Sequence, residues 1–126
     1  MDRVILSDLK KFPLVYLATP YSKYPKGLEH AFRDACRVTA RLLERGLRVY
    51  SPIAHTHPIA VHGGIDPLDH NVWLPFDAAI MDKADALIVT HMEGWEDSYG
   101  IIQEIKHFSG QDKPIFHLDP FTLEIL

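Results

Sequence analysis

The apolar positions of this 126-residue chain follow two alternating rhythms. Four short unbroken runs, "LVYLATP" at 14–20, "LRVYSPI" at 47–53, "DALIVTH" at 85–91 and "KPIFHL" at 113–118, read as buried strands. Between the first two, Leu28, Ala31, Phe32, Ala35, Leu42 and Leu43 recur at helical spacing, with Gly46 as the stop. "VWLPFDAAIMDKA" reads as a helix, and another runs from Ser98 to about Phe108 with Ile101, Ile105 and Phe108 as its buried stripe. The segment "AHTHPIAVHGGIDPLDHN" is too broken by Pro and Gly to be regular throughout, and predicts a long connection with Gly63 and Gly64 as a flexible, lid-like turn. The N-terminal "MDRVILSDLKKF" and C-terminal "FTLEIL" read as accessory pieces, the latter within reach of a neighbouring subunit. Strands alternating with helices imply an α/β fold: one domain over residues 1–126, with a mostly parallel sheet of four to five strands covered on both faces. Ligands in such sheets collect at the carboxyl ends of the strands, which puts the loops after Ala18, Pro52 and Thr90 on one rim.

Two carboxylates join apolar stripes near that rim. Glu104 lies three residues after Ile101 and four before Phe108, along the seam of its helix. Asp77 shares a helical face with Met81 and Ala84, whereas Asp82 and Lys83 read as surface charges and Asp85 as a turn cap. Such a pair permits nucleophilic and proton-handling roles in separate groups, and each carboxylate could equally satisfy a neighbouring backbone N–H. Ser98 is a natural N-cap, and Gly100 in the first turn lets a ligand approach the backbone. That helix end favours an anion such as phosphate. Tyr16, inside the first strand, needs a partner for its hydroxyl. Trp73 and Trp95 flank the same region and could stack on a planar base or simply pack.

His55, His57, His62 and His70 cluster with Asp66 and Asp69, but no spacing matches a known zinc pattern. No metal or cofactor is therefore expected, and one or two of these histidines, His55 among them, would line a polar pocket. A formal charge of -4 with no basic run argues against a nucleic-acid polymer as partner. The lone Cys36, on an apolar helix face, suits a reducing compartment. With no membrane-spanning run and no signal-peptide profile, a cytoplasmic location is expected.

Together these motifs, "YLATPYS", "SPIAHTHPI", "WLPFD", "GWEDSYG" and "SYGIIQE", resemble the nucleoside 2-deoxyribosyltransferase superfamily, over about Leu14 to Leu118. The resemblance implies a Rossmann-like or flavodoxin-like three-layer sandwich. It also implies an enzyme that cleaves the N-glycosidic bond of a nucleoside or nucleoside 5′-monophosphate, with no cofactor. By position, Glu104 matches the nucleophile, Tyr16 the tyrosine that orients it, and Asp77 the aspartate that contacts the base. Ser98 stands where free-nucleoside transferases carry an aspartate and the related monophosphate hydrolases a phosphate-binding serine. Those hydrolases carry another serine in the first loop, where this chain has Pro20, with Ser22 two residues on. Ser98 and Ser22 are the implied phosphate contacts, and with Gly100, His55 and Trp73 from the residue patterns above they make the expected ligand set; the implied ligand is a nucleoside or nucleotide and the implied assembly a homodimer or larger. Transfer to a second base and hydrolysis by water both fit. A non-catalytic nucleotide sensor of the same fold and a metal-dependent hydrolase built on the histidines are the rival readings.

Overall fold

The computed structural model describes residues 3–126; Met1 and Asp2, the start of the N-terminal accessory piece, lie outside the described residues. Four strands, β1 (Val15–Ala18), β2 (Val49–Tyr50), β3 (Ala86–Thr90) and β4 (Ile115–Leu118), form an all-parallel sheet in the order β2-β1-β3-β4. The helices are α1 (Leu28–Glu44), α2 (Pro52–Gly63), α3 (His70–Lys83) and α4 (Tyr99–Gly110). Short 3-10 turns at Leu6–Lys11 and Trp95–Asp97 complete the described elements.

The two-residue period of the strands sorts the core onto both faces of the sheet. Val15, Leu17, Ala86 and Ile88 pack with Val38 and Leu42 of α1 on one side. Tyr16, Ala18, Leu87 and Val89 pack with Met81 of α3 and with Ile101 and Phe108 of α4 on the other. The inner strands carry almost no polar group because both of their faces are covered. This is a Rossmann-like, flavodoxin-like α/β sandwich.

The histidine segment departs from the expected long connection. Its first half is helix α2, and the second strand stops at Tyr50 because Pro52 already begins that helix. Ser51 caps it, its Oγ accepting from the Ala54 amide at 3.2 Å, and Pro52 at the first position has no N–H to leave unpaired. Gly64, at φ 70°, closes the helix in the left-handed region that a side chain would disfavour. Pro58 removes one helical donor, but α2 survives because it packs along α1 and under β1. Only residues 64–69 remain irregular. There Asp66 Oδ1 accepts from the Leu68 amide at 2.9 Å, and Asp69 caps α3 through the Asn71 amide at 3.1 Å.

The C-terminal "FTLEIL" folds back rather than outward. Ile125 bridges Leu118 in antiparallel fashion, and Leu123 and Ile125 are buried in the α1-side core. Arg41 of α1 ties this segment down, donating to the carbonyls of Pro120 at 2.8 Å and Phe121 at 3.1 Å. Asp85 does not cap its own turn; its carboxylate accepts from the Leu14 amide at 2.9 Å, joining the entrances of β1 and β3. No described helix is long and apolar enough to cross a membrane.

Candidate active site

After β1 the chain crosses to one side of the sheet, and after β3 it crosses to the other. Loops therefore diverge at the carboxyl ends of these neighbours and leave a crevice, the usual ligand position in open α/β sheets. The observed cleft lies there. Thr19, Tyr21 and Ser22 follow β1; Ile53 and Thr56 come from α2; Trp73 and Asp77 from α3; and Ser98, Gly100 and Glu104 from the start of α4. Pro67, Leu68 and His70 complete the lining. The cleft opens to solvent, and its free volume of about 80 Å³ is small beside the roughly 300 Å³ at which ligand pockets begin.

The start of α4 is built to receive something. Ser98 is buried, and its Oγ accepts from the Ile101 amide at 3.3 Å. The first helical hydrogen bond runs from the Ile102 amide to the Ser98 carbonyl at 3.1 Å, so the amides of Tyr99 and Gly100 precede the ladder. A Cβ on Gly100 would meet nothing nearer than Ser98 Oγ at 3.9 Å, so the helix itself does not require a glycine there. What the missing side chain leaves open is the cleft.

Glu104, one turn deeper, is 8% exposed and belongs to the buried face of α4 with Ile101 and Phe108. Burial pushes its carboxyl well above the ordinary carboxylate range, and the charge of Asp77 pushes it further, against a smaller opposing pull from the Tyr16 hydroxyl. Asp77, half-buried on α3, is raised by desolvation to about 6. Both carboxyls are therefore harder to ionise than a carboxyl in water. Tyr16 is fully buried, its ring packed at 5.8 Å against both Tyr50 and Phe108. Its hydroxyl finds no well-formed hydrogen bond, yet Glu104 is close enough, with Asp77, to hold it firmly protonated after burial has done most of that work.

Buried polar atoms without a protein partner are rare and costly. Here the described residues contain five, namely the hydroxyls of Tyr16, Thr19, Tyr50 and Thr90 and Oδ1 of Asp77. Asp77, Thr19 and Tyr16 are lining residues or neighbours of the cleft, and the charge of Asp77 helps raise Tyr50 to about 12. A roomier cavity of about 550 Å³ lies on the α1 side, among Tyr24, Asp34, Arg37, Glu93 and Phe121; there Asp34 is already committed, accepting from Tyr24 and Arg37.

Of the residues singled out from the sequence, Glu104, Asp77, Ser98, Gly100, Ser22 and Trp73 line one cleft, with Tyr16 beneath it. Trp73 is pinned by its indole N–H, which donates to the Asp66 carbonyl at 2.9 Å. His55 is a correction: it is exposed on α2, stacked on Phe76 and tilted against Tyr50, and the histidine of the lining is His70 instead. The helical turn of α2 explains the exchange, because it rotates His55 out of the rim that an extended strand would have given it. Trp95 also stands apart, stacked at 4.0 Å on His91, which is hydrogen-bonded to His117 at 2.8 Å. The histidines do not converge; among the described residues no group of three metal-binding side chains forms.

Sequence reasoning missed Tyr50, Thr19, Tyr21, Thr56 and Tyr99. For Tyr50 a signal existed: in a parallel sheet it pairs with Tyr16 and so shares its face. Thr19 and Tyr21 sit inside the "YLATPYS" run that carried the resemblance.

Fold and cleft together define a Rossmann-like α/β domain with a paired-carboxylate crevice at its topological switch point. Within that class, the chain belongs to the family described as "Domain of unknown function (DUF1937)", whose model matches residues 13–119. The match takes in all four strands and every cleft residue named above. No curated protein matches the chain in sequence.

Proposed function

We propose that this protein cleaves the N-glycosidic bond of a nucleoside or nucleoside 5′-monophosphate, as the resemblance to the nucleoside 2-deoxyribosyltransferase superfamily implies. The supporting observation is the convergence of Asp77 and Glu104, from two different helices, on one cleft above buried Tyr16. In this reading the sugar lies against Glu104, with a 5′-phosphate at the Ser98-capped start of α4 and the base toward Asp77 and Trp73.

In the reacting complex Asp77 carries a proton and Glu104 is ionised. Positive charge developing on the sugar favours that ionised carboxylate. Glu104 attacks the anomeric carbon and the bond to the base nitrogen breaks. The bonding electrons leave with the base, which takes the proton of Asp77 directly or through water. Tyr16 holds the Glu104 carboxylate in line. Water, or the N–H of a second base, then attacks the same carbon and gives up its proton to the Asp77 carboxylate, while the ester C–O bond breaks with its electrons returning to Glu104. Ser98 favours the monophosphate as substrate, because a hydroxyl at a helix N-terminus accommodates phosphate where an aspartate would repel it. Ser22, a lining residue of the cleft, would supply the hydroxyl that Pro20 does not.

The assay is chromatographic. Purified protein is incubated with nucleosides and their 5′-monophosphates, with and without an acceptor base, beside Glu104→Ala. Release of free base from monophosphates, absent in the variant, is the expected result; new nucleosides formed only with acceptor would instead mean transfer. Binding without cleavage across the panel would overturn the enzymatic reading in favour of a nucleotide sensor.

A further inference from the structure

A second chain of contacts reaches the cleft through Tyr21 of its lining. The Tyr21 hydroxyl lies 2.6 Å from His57 Nδ1, and His57 Nε2 lies 2.9 Å from Glu29 Oε2. His57 is buried at 5% exposure and stacked on Phe32, whereas Glu29 is 55% exposed at the start of α1. A buried imidazole thus ties a cleft residue to a surface carboxylate, and none of the three takes part in the glycosidic chemistry above.

The donors in this chain can be assigned in order. Glu29 is held below the usual carboxylate range by His57 and Arg33, so it is ionised and can only accept. Nε2 of His57 must therefore carry the hydrogen. In the neutral ring Nδ1 is then a bare lone pair, and the Tyr21 hydroxyl, its pKa raised to about 12 by burial and by the Glu29 charge, donates its only hydrogen to it. Only lone pairs then remain on Oη of Tyr21, a lining residue of the cleft.

We infer that Glu29 and His57 are positioning residues that fix Tyr21 as a dedicated hydrogen-bond acceptor, so that the cleft selects ligands presenting an N–H or O–H donor at that wall. The inference rests on the nucleotide reading for its choice of ligand, and the donor is either an amine of the base or a hydroxyl of the sugar. Lone pairs facing a group that cannot donate would be desolvated without return, which is how a site built for a donor rejects analogues lacking it.

The test has two independent readouts. Imidazole ¹⁵N shifts of the free protein report the His57 tautomer without any ligand. The Nε2–H form is expected in the wild type and in Glu29→Gln, whose Oε1 still accepts, and a mixed population in Glu29→Leu, a change that the exposure of Glu29 lets the fold tolerate. An Nδ1–H ring or an imidazolium in the wild type at neutral pH overturns the inference. Calorimetric titration then uses adenosine 5′-monophosphate and three analogues, each lacking one donor: the 6-amine, the 2′-hydroxyl or the 3′-hydroxyl. Tyr21→Phe should weaken the parent about tenfold and leave unchanged the one analogue without the recognised group, which identifies its source. Glu29→Leu should show part of that loss and Glu29→Gln none. Equal weakening of all four ligands, or of none, overturns the inference. If the wild type binds none of them, the ligand half falls together with the nucleotide reading, while the spectrum still decides whether the chain of contacts exists.

Discussion

Asp77 on α3 and Glu104 on α4 belong to one cleft, and the charge of the first makes the second harder to ionise. Neither carboxyl has an ion-pair partner among the described residues. A fold selected only for stability has little reason to keep two such groups, because a buried carboxylate without a cation costs free energy in its charged form. Their retention is intelligible if the cost is met when a substrate develops positive charge between them.

Replacing Glu104 by Gln should therefore separate stability from activity. Glycosidic cleavage is expected to fall by a factor of about 10³ or more, as nucleophile removal does elsewhere. The melting temperature at pH 8 should hold or rise by a few degrees, because the amide has no charge to desolvate. Differential scanning calorimetry beside the base-release assay checks both. Loss of activity with a large drop in melting temperature would mean that Glu104 is a structural group.

The pH dependence of stability carries a definite sign. Asp77 rises from an ordinary 3.8 to about 6 on folding, so the folded state binds more protons than the unfolded state in that interval. Its contribution is fully present below about pH 4 and is lost as the pH climbs through 6. Asp77 keeps some solvent contact at the cleft, so screening reduces the expected loss to about 1–2 kcal/mol. Glu29, Asp34 and Asp82 shift downward and tilt the whole curve the other way. The measurable quantity is the difference between wild type and Asp77→Asn in urea titrations from pH 4 to 8. Asn should gain on the wild type across pH 4–6 and keep that gain above it.

How much of this was readable beforehand depends on whether the signal was local. The four strands stood out because buried parallel strands are short continuous apolar runs, and Glu104 stood out because it interrupts such a stripe at a helical interval. Helix α2 did not, because Pro58 and Gly63 mimic a loop while packing against α1 decides the matter. That single error of local structure moved His55 off the site and hid His57, whose role depends on Glu29, twenty-eight residues away. The return of Ile125 to Leu118 was equally invisible, being a contact that only the finished sheet edge provides.

Ser98 has two separable duties. Its Oγ caps α4 through the Ile101 amide, and in the proposed reading it also meets a phosphate. Ser98→Ala should lose both, costing about 1 kcal/mol of stability and weakening monophosphate binding. Ser98→Asp keeps a good cap but sets a negative charge against the phosphate. It should unfold near the wild-type temperature while discriminating against monophosphates relative to free nucleosides. If Ser98→Asp turns over monophosphates as well as the wild type, the hydroxyl serves the helix alone.

Gly100 offers the complementary case, a position where the better helix former should be the poorer protein. It sits in the first turn of α4 with ordinary helical backbone, and an added methyl meets only Ser98 Oγ at 3.9 Å. Alanine there should stabilise the helix by about 0.5–1 kcal/mol, because glycine loses the most backbone freedom on folding. The same methyl would stand in the cleft beside the free amides of the helix end, on the path of any anion approaching them. Gly100→Ala is therefore expected to melt at or above the wild-type temperature and to bind nucleoside 5′-monophosphates at least several-fold more weakly. Thermal shift with and without adenosine 5′-monophosphate reads both effects in one experiment. A variant both more stable and equally responsive to the ligand would move the phosphate away from the start of α4.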